Sequence, residues 1–344
     1  MALNELGAAM RITRRDLGGA GLAAAVLGPV AARAASGLPT VQGPEVAGLV
    51  GEYGTPDAIL TVYEAGGTAM ANGRGLTAAP LTRLSALAYQ APGGEIGFER
   101  NARGLATAAM LSGQRLARRD FGAEVQAQIQ AGVHADPDKV RAQALAATPP
   151  AEAGPHRPAD LVDLATVDPG IRFDIRYATS NNFMGFPLYE RAGAYLQRPA
   201  AEAVGRAHRA LAAQGYGLLI HDAYRPWFVT KMFWEATPPE ARMFVADPAQ
   251  GSRHNRGCAV DLTLYDLATK APVEMTGRYD EMSQRSYADY VGGTTRQRWL
   301  RDLLRREMEA QGFAVYPQEW WHFDYKDWAQ YGIGTRTFTE LGQR

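Results

Sequence analysis

Short apolar runs separated by turns dominate residues 46–121. The run at 58–63 is rich in β-branched and aromatic residues, and similar runs occupy 96–100 and 105–111. Glycine-containing turns recur about every 8–12 residues, which is typical of antiparallel sheets and small barrels. The pattern predicts a small all-β module at 46–121. Because this stretch contains no histidine and no cysteine, we expect it to bind or to act as a scaffold.

Helix-forming residues replace the strand pattern at 122–158. Residues 123–131 and 138–145 favour helices, and Pro137 interrupts them. A proline-rich stretch follows up to Pro158. We therefore predict a helical and proline-rich linker between two domains.

Strands and helices are mixed in the second domain, which we place at 159–344. Period-two alternation or apolar runs predict strands, and amphipathic patterns bounded by proline or glycine predict helices. The predicted strands are 171–177, 216–223, 313–316 and 319–325, and the predicted helices are 199–214, 227–236 and 295–311. Regular β-α-β repetition is absent from this pattern. It predicts an α+β domain with a mostly antiparallel sheet flanked by helices.

The first 36 residues have the pattern of an export signal. Arg14 and Arg15 precede an apolar run at 17–32, which is shorter than the roughly 20 residues of a membrane span, and Ala32 and Ala34 form a small-residue cleavage pattern. The paired arginines resemble a twin-arginine signal. We expect export, with a periplasmic mature protein that has no transmembrane segment. An ordinary secretion signal or an uncleaved anchor remains the alternative.

Composition and charge exclude some classes of function. The chain has 36 basic and 36 acidic residues and a formal net charge of zero, so we expect neither nucleic acid nor an anionic membrane surface as a partner. Cys258 is the one cysteine of the chain, which rules out an internal disulfide. It is either a buried small apolar residue or a neighbour of the site described next.

Two separated pairs of residues offer ligands for a metal ion. His254 lies in a polar loop and Asp261 stands seven residues later, in an apolar strand; Glu319 and His322 flank two tryptophans. Three ligands, from His254, Asp261 and His322, leave the fourth tetrahedral position open, as in catalytic zinc sites. We predict one Zn²⁺ ion. The alternative is purely structural. His254 would be a loop residue in a turn, and His322 would belong to an aromatic core with its hydrogen bonds satisfied.

Glu319 and Arg225 complete a hydrolytic arrangement around that ion. Zinc lowers the pKa of bound water from about 15.7 toward about 7. Glu319 can take that proton and pass it to a leaving amine, provided that a strand irregularity turns it toward His322. Arg225 follows a predicted strand and can stabilise an oxyanion, an effect of about 3–4 kcal/mol. An ion pair between Arg225 and Asp222 is the alternative and is compatible with this role.

These residues resemble the zinc D-alanyl-D-alanine metallopeptidases, and within them the D-alanyl-D-alanine dipeptidase (VanX-like) family. The strings that carry the resemblance are residues 176–183, 222–226, 252–257, 259–265 and 319–322. The resemblance covers about residues 160–330. It implies zinc on His254, Asp261 and His322, Glu319 as base and then acid, and Arg225 at the tetrahedral intermediate.

The resemblance also implies a substrate pocket. Asp280 would pair with the free ammonium of the substrate, and Tyr177, Asp222 and Ser252 would line or support the pocket. Two features depart from the family pattern. Arg253 stands where the best-known members carry a small hydroxyl residue, and the module at 46–121 is absent from the minimal pattern.

We therefore expect zinc-dependent hydrolysis of D-alanyl-D-alanine or a similar D-containing dipeptide, linked to peptidoglycan turnover. The expected partners are that small dipeptide and peptidoglycan. One alternative is a D,D-carboxypeptidase or endopeptidase that acts on peptidoglycan stem peptides. Another is a catalytically silent, zinc-containing cell-wall binding protein.

Overall fold

The computed structural model describes residues 38–39 and 43–342. The predicted export signal at 1–36 lies outside the described residues. Within the described part of the chain, no helix combines the length and apolar character that crossing a membrane requires.

Residues 51–119 form one antiparallel sheet of nine strands. A short helix, α1 (Pro44–Ala47), precedes them. The strands are β1 (Gly51–Thr55), β2 (Ala58–Ala65), β3 (Thr68–Gly73), β4 (Leu76–Pro80), β5 (Thr82–Arg83), β6 (Ala88–Ala91), β7 (Gly94–Arg100), β8 (Ala106–Leu111) and β9 (Gln114–Arg119). Their order is β4-β3-β2-β1-β9-β8-β7-β6-β5. The first and last strands along the chain, β1 and β9, therefore pair in the middle of the sheet. Side chains that alternate along the strands form a separate apolar core, which includes Tyr53, Leu60 and Phe98.

Two helices, α2 (Phe121–Val133) and α3 (Pro137–Ala146), follow this sheet. Each begins with an aspartate whose side chain accepts a hydrogen bond from the third helical amide, Asp120 for α2 and Asp136 for α3. Such caps satisfy amides that have no partner within the helix. Buried residues of both helices belong to the core of the following part of the chain.

Strands and helices are mixed in the remaining part of the described chain. The strands are β10 (Leu161–Asp163), β11 (Arg172–Phe173), β12 (Tyr195–Gln197), β13 (Tyr216–Asp222), β14 (Ala259–Asp266), β15 (Phe313–Tyr316) and β16 (Glu319–Tyr325). The helices are α4 (Arg198–Ala212), α5 (Trp227–Ala236), α6 (Thr295–Glu309) and α7 (Phe338–Leu341). Five short 3-10 helices lie at Leu164–Thr166, Arg176–Ala178, Pro239–Phe244, Gln284–Ser286 and Trp328–Gln330.

The principal sheet of this part has the order β11-β13-β14-β16-β15, and β10 pairs with β12 separately. The pairs β13–β14, β14–β16 and β16–β15 are antiparallel, whereas β11 is parallel to β13. Helices α4 and α6 contact this sheet. The predicted α+β class with a mostly antiparallel sheet is confirmed.

One predicted strand, at 171–177, is wrong for most of its length. The strand covers Arg172–Phe173, and a 3-10 turn follows at Arg176–Ala178. The Asp174 amide still donates to the Ile220 carbonyl at 2.9 Å, and then the chain leaves the sheet. Ile175 and Tyr177 are buried in the core without strand partners. The alternation of buried and polar side chains therefore reflects core packing rather than a continuous hydrogen-bonded ladder.

Strand β14 separates the core from the site. Val260, Leu262 and Leu264 are fully buried among core residues that include Leu303 and Leu304 of α6. Alternate residues, such as Asp261, point to the opposite face of the sheet. Burying each leucine side chain contributes about 1.5–3 kcal/mol. The buried face of β14 therefore holds the strand in place, and with it Asp261 on the opposite face.

We predict that Leu262→Ala lowers the free energy of unfolding by about 2–5 kcal/mol, because it leaves a cavity under the strand. Leu145→Ala is the control, since this leucine is exposed on α3, and it should change stability by no more than about 0.5 kcal/mol. Urea denaturation of both variants measures the difference. Equal effects would contradict the placement of Leu262 in the core.

Candidate metal and catalytic site

Three buried side chains that lie far apart in sequence come together on the open face of the sheet. They are His254, Asp261 and His322, and one ligand atom of each lies within 4.8 Å of the other two. His254 Nε2 is 3.0 Å from His322 Nδ1, and both nitrogens are close to Asp261 Oδ1, at 3.2 and 3.0 Å. The structure thus brings together the three residues that the sequence predicts as metal ligands.

Strand pairing and one loop fix these positions. Asp261 of β14 lies directly opposite His322 of β16, so their side chains share a face. His254 lies in the loop that precedes β14. Asn255 secures that loop, because its Nδ2 donates to the Arg225 carbonyl at 2.8 Å and its Oδ1 accepts from the Ser252 amide at 2.7 Å.

Hydrogen bonds on the outer side of each imidazole set its tautomer. His254 Nδ1 is 2.6 Å from the Ala223 carbonyl oxygen. A carbonyl only accepts, so Nδ1 carries the proton and the lone pair of Nε2 faces the cluster. His322 Nε2 donates to Asp324 Oδ1 at 2.9 Å, which leaves Nδ1 facing inward. Such outer partners orient histidines that bind metals.

The pKa shifts favour an anionic Asp261 carboxylate beside a cationic His322 ring. Burial opposes ionisation of Asp261, but the neighbouring His254 and His322 hold the pKa of this carboxyl well below its usual value. Burial likewise opposes a charged His322 ring, yet Asp324 and Asp261 raise the pKa of His322 well above its usual value. Without a metal ion, a positive charge on His322 therefore balances the negative charge of Asp261, and a metal ion bound between them would replace the proton of His322.

Glu319 lies at the start of β16, where the strand pairing is irregular. Val315 pairs with Phe323, but the next residue, Tyr316, pairs with Glu319. This irregularity brings Glu319 Oε2 to 3.6 Å from His322 Nδ1, although the two residues are three apart in a strand. Burial raises the pKa of Glu319 to about 7, against the lowering effect of His322.

Arg225 follows β13 and is held on one side by Asp222. Its Nε and Nη2 are 2.9 and 2.8 Å from Asp222 Oδ2, while Tyr189 donates to the other oxygen, Oδ1, at 2.7 Å. The guanidinium also lies over the ring of Phe233, 4.6 Å from its centre. Arg225 Nη2 is 3.5 Å from Asp261 Oδ2, so the arginine borders the cluster. The predicted ion pair with Asp222 is present.

Asp280 and two tyrosines form the far side of the site. Tyr177 donates to Asp280 Oδ1 at 2.8 Å, and Tyr279 donates to Asp261 Oδ2 at 2.9 Å; the two hydroxyls are 3.1 Å apart. Asp280 Oδ2 is buried and has no hydrogen-bond partner within the described part of the chain. Burial raises the pKa of Asp280 well above its usual value. A buried acceptor without a partner indicates a place for a donor from a ligand.

One cavity connects these groups. Part of its lining is a set of apolar side chains, the apolar wall, and its polar lining includes Ser252, Arg225, Asp280, Glu281 and Glu319 together with the three candidate ligands. The apolar wall consists of Phe183, Phe233, Met243, Phe244 and Met282. Ser252 Oγ also accepts from the His254 amide at 3.2 Å. Asp222 does not line the cavity but binds Arg225, which does.

Tyr279 and Asp324 also contact the candidate ligands, although the sequence pattern did not single them out. Asp324 stands two residues after His322 on the same strand, and alternate residues share a face, so that signal was available. Tyr279 precedes Asp280, but its contact with Asp261 depends on the tertiary path of the segment 276–293. The chain pattern alone therefore did not identify it.

Arg253 lies at the cavity, whereas Cys258 lies in the core. Arg253 lines the cavity, and its guanidinium lies 4.6 Å from the centre of the Trp328 ring, with Nε 3.5 Å from Asp324 Oδ2. Cys258 is fully buried in the core, and burial raises the pKa of its thiol to about 12. The thiol is therefore a core group.

The donor set fits zinc. Two imidazole nitrogens and one carboxylate oxygen are ligands that zinc takes in catalytic sites, and three protein ligands leave a position for water or substrate. The outer hydrogen bonds to Ala223 and Asp324 add the support that such sites have.

Comparisons with known proteins identify the family of this chain. A family model described as Peptidase_M15, D-ala-D-ala dipeptidase, matches residues 157–340, which is more than half of the chain. A D-alanyl-D-alanine dipeptidase of Escherichia coli (strain K12) is 35% identical over 174 residues, covering 51% of this chain and 89% of the relative. Similar relatives come from Enterococcus faecium (36% identity, 46% of this chain, 87% of the relative) and Streptomyces coelicolor (36%, 48% and 92%). The chain belongs to the Peptidase_M15 family of D-Ala-D-Ala dipeptidases.

Proposed function

We propose that this protein is a zinc-dependent dipeptidase that hydrolyses D-alanyl-D-alanine or a similar D-containing dipeptide. Membership in the family supports a peptidase that acts on dipeptides. The observation that carries the metal part is the inward-facing pair of imidazole nitrogens, 3.0 Å apart beside Asp261. Electron pairs at this separation favour a shared cation.

His254 Nε2, Asp261 Oδ1 and His322 Nδ1 would hold the zinc ion. When bound, zinc supplies Lewis acidity, which acidifies water and polarises a carbonyl group. The chain supplies the orientation of the ligands, through Ala223 for His254 and Asp324 for His322.

Glu319 is the proposed base and acid. A pKa of about 7 suits a carboxylate that accepts a proton from the attacking water and returns it to the departing amine. Arg225 would donate to the oxyanion that develops on the scissile carbonyl. Since Asp222 occupies Nε and Nη2 of Arg225, Nη1 remains for that donation.

Asp280 is the proposed site for the substrate's ammonium group. Tyr177 binds Oδ1, and the buried Oδ2 offers the acceptor that an ammonium requires. An acylated amine lacks that positive charge, so this contact would restrict the enzyme to dipeptides with a free amino terminus. Ser252 and the apolar wall would contact the rest of the small substrate.

The proposed physiological setting is the cell wall. A D-containing dipeptide is a fragment of peptidoglycan stem peptides, which links the activity to peptidoglycan turnover. The signal-like sequence at 1–36 supports export to the periplasm.

We expect Glu319→Gln to lower kcat for D-alanyl-D-alanine by about a thousandfold, because general acid–base catalysis contributes factors of about 10²–10⁴. Released D-alanine is quantified with free and with N-acetylated D-alanyl-D-alanine as substrates. Wild type should hydrolyse the free dipeptide and leave the acetylated one intact. Glu309→Gln is the matched control, since Glu309 pairs with Arg305 on the surface of α6.

Three results would contradict this proposal. Equal hydrolysis of the acetylated substrate would indicate a carboxypeptidase or endopeptidase. Full activity of Glu319→Gln would remove Glu319 from the mechanism. Binding of zinc without hydrolysis of any D-peptide would favour a cell-wall binding protein.

Zinc binding is measurable without any substrate. We expect one zinc ion per chain and a stabilisation of about 2.7 kcal/mol when free zinc is a hundred times its Kd. Metal analysis and thermal unfolding with and without a chelator test this. His254→Ala should abolish both effects, whereas His134→Ala, at an exposed position after α2, should retain them. Equal zinc content in the two variants would contradict the ligand assignment.

The proposed export route makes a separate prediction. Replacing both Arg14 and Arg15 by lysine should keep the protein in the cytoplasm with residues 1–34 attached, because the twin-arginine signal is read by a receptor. Wild type should appear in the periplasm, cleaved after Ala34. Fractionation followed by N-terminal sequencing measures both outcomes, and a wild-type protein found in the cytoplasm with residues 1–34 intact would contradict the export proposal.

A further inference from the structure

The segment at 276–293, which we call the Asp280 segment, forms one wall of the cavity. It carries Tyr279, Asp280 and Met282. Asp280 has a backbone φ of 60°, a left-handed conformation that residues other than glycine adopt rarely. Such a conformation persists when the surrounding structure imposes it. The question is which part of the chain holds this segment in place.

The first turn of α2 packs directly on the residue after Asp280. A Cβ atom added to Gly122 would lie 2.2 Å from Glu281 Cγ, so this glycine allows the close approach. The buried Glu281 carboxylate in turn accepts from the Arg278 amide at 2.9 Å and from Ser283 Oγ at 2.7 Å. Glu281 therefore ties the two sides of Asp280 together, and α2 covers it.

An ion pair adds a second contact at the same end. Arg278 binds both oxygens of Asp120 through Nη1 and Nη2, at 2.8 and 2.9 Å. Asp120 is the residue between β9 and α2, and its Oδ1 also caps α2 through the Ala123 amide at 3.2 Å. One aspartate thus joins the sheet, the helix and the Asp280 segment.

The nine-stranded sheet contacts the other end of the segment. Tyr290 donates to Glu52 Oε1 of β1 at 3.0 Å in a buried contact. Glu64 of β2 donates its amide to the Gly293 carbonyl at 3.0 Å, and its carboxylate accepts from the Thr295 amide at 2.6 Å. Residues 52–122 thus hold the segment at both ends.

We propose that the N-terminal sheet and the start of α2 position Asp280 for the substrate's ammonium group. This inference rests on the proposed function, because it assigns to residues 51–122 the task of fixing the amino-terminal end of the dipeptide site. Gly122, Asp120, Glu52 and Glu64 are positioning residues in this arrangement, and none of them lines the cavity.

Gly122→Ala tests the proposal, with Gly132→Ala as the matched control. Both glycines belong to α2, but a Cβ at Gly132 meets no atom within 4 Å. Gly122→Ala pushes Glu281 and should raise KM for D-alanyl-D-alanine about tenfold, with kcat within about twofold, because the lost interaction is binding rather than proton transfer. Gly132→Ala should leave KM unchanged. Equal KM values for the two variants would overturn the proposal.

The ion pair offers a second test. Asp120→Asn keeps an acceptor for the cap of α2 and removes the charge that binds Arg278. Asp120→Asn and Arg278→Ala should each raise KM, and the double variant should raise it no further than Arg278→Ala does. Arg115→Ala is the control, because the Arg115–Glu99 pair has side-chain exposures of 53% and 45%, close to the 52% and 42% of Arg278–Asp120. A KM increase with Arg115→Ala as large as with Arg278→Ala would overturn the proposal.

Amide hydrogen exchange separates this proposal from the proposed function, because it needs no substrate. Exchange at 276–293 should be faster in Gly122→Ala and Arg278→Ala than in wild type, while exchange in β14 and zinc content stay the same. Unchanged exchange at 276–293 would overturn the positioning role even if the enzyme is active. Faster exchange in the two variants, combined with a wild-type protein that hydrolyses no D-dipeptide, would support the holding contacts and reject the function.

Discussion

Three electron-pair donors that face one another inside the protein are the constraint on which the rest of this structure depends. His254 Nε2, His322 Nδ1 and Asp261 Oδ1 lie 3.0–3.2 Å apart, and the outer nitrogens of both rings are occupied. Buried charges are costly unless they are paired or coordinate a metal. Arg225 brings a positive charge close by, but Asp222 already binds it. The proposed zinc ion would supply the balancing charge between the three donors, and the outer hydrogen bonds to Ala223 and Asp324 orient both rings toward it.

The fold meets this constraint by placing two of the three candidate ligands on adjacent strands of its principal sheet. Asp261 and His322 are cross-strand neighbours in the middle of a five-stranded sheet, and leucines on the opposite face of β14 anchor it to α6. His254 comes from a loop, which is less rigid by nature, and Asn255 compensates with side-chain hydrogen bonds to two segments. Precision at the ligand atoms is therefore set by packing behind the sheet and by one buried amide.

The candidate metal ligands could be predicted from the sequence, because their residue types and their spacing within short motifs can be read from the chain directly. His254, Asp261, His322 and Glu319 were recognisable as donors, and the strand irregularity that Glu319 needs to approach His322 is present at Tyr316. Segments 171–177 and 276–293 were harder. Their side chains are arranged by contacts with distant residues, such as Tyr177 with Asp280, so a periodic pattern does not determine their backbone. Tyr279 was missed for the same reason.

The Asp280 segment differs from the ligands in how its geometry is maintained. A left-handed non-glycine residue costs about 1–3 kcal/mol, less for aspartate than for most residues, and this strain must be offset by neighbouring contacts. No sheet ladder includes Asp280 among the described residues. The offsetting contacts come from Glu281 packed under α2, from the Arg278–Asp120 pair and from Glu52 and Glu64. The sheet of β13, β14 and β16 therefore sets the geometry of the proposed catalytic groups, whereas the position proposed for the substrate's ammonium group depends on contacts from residues 52–122, which lie outside the family match at 157–340.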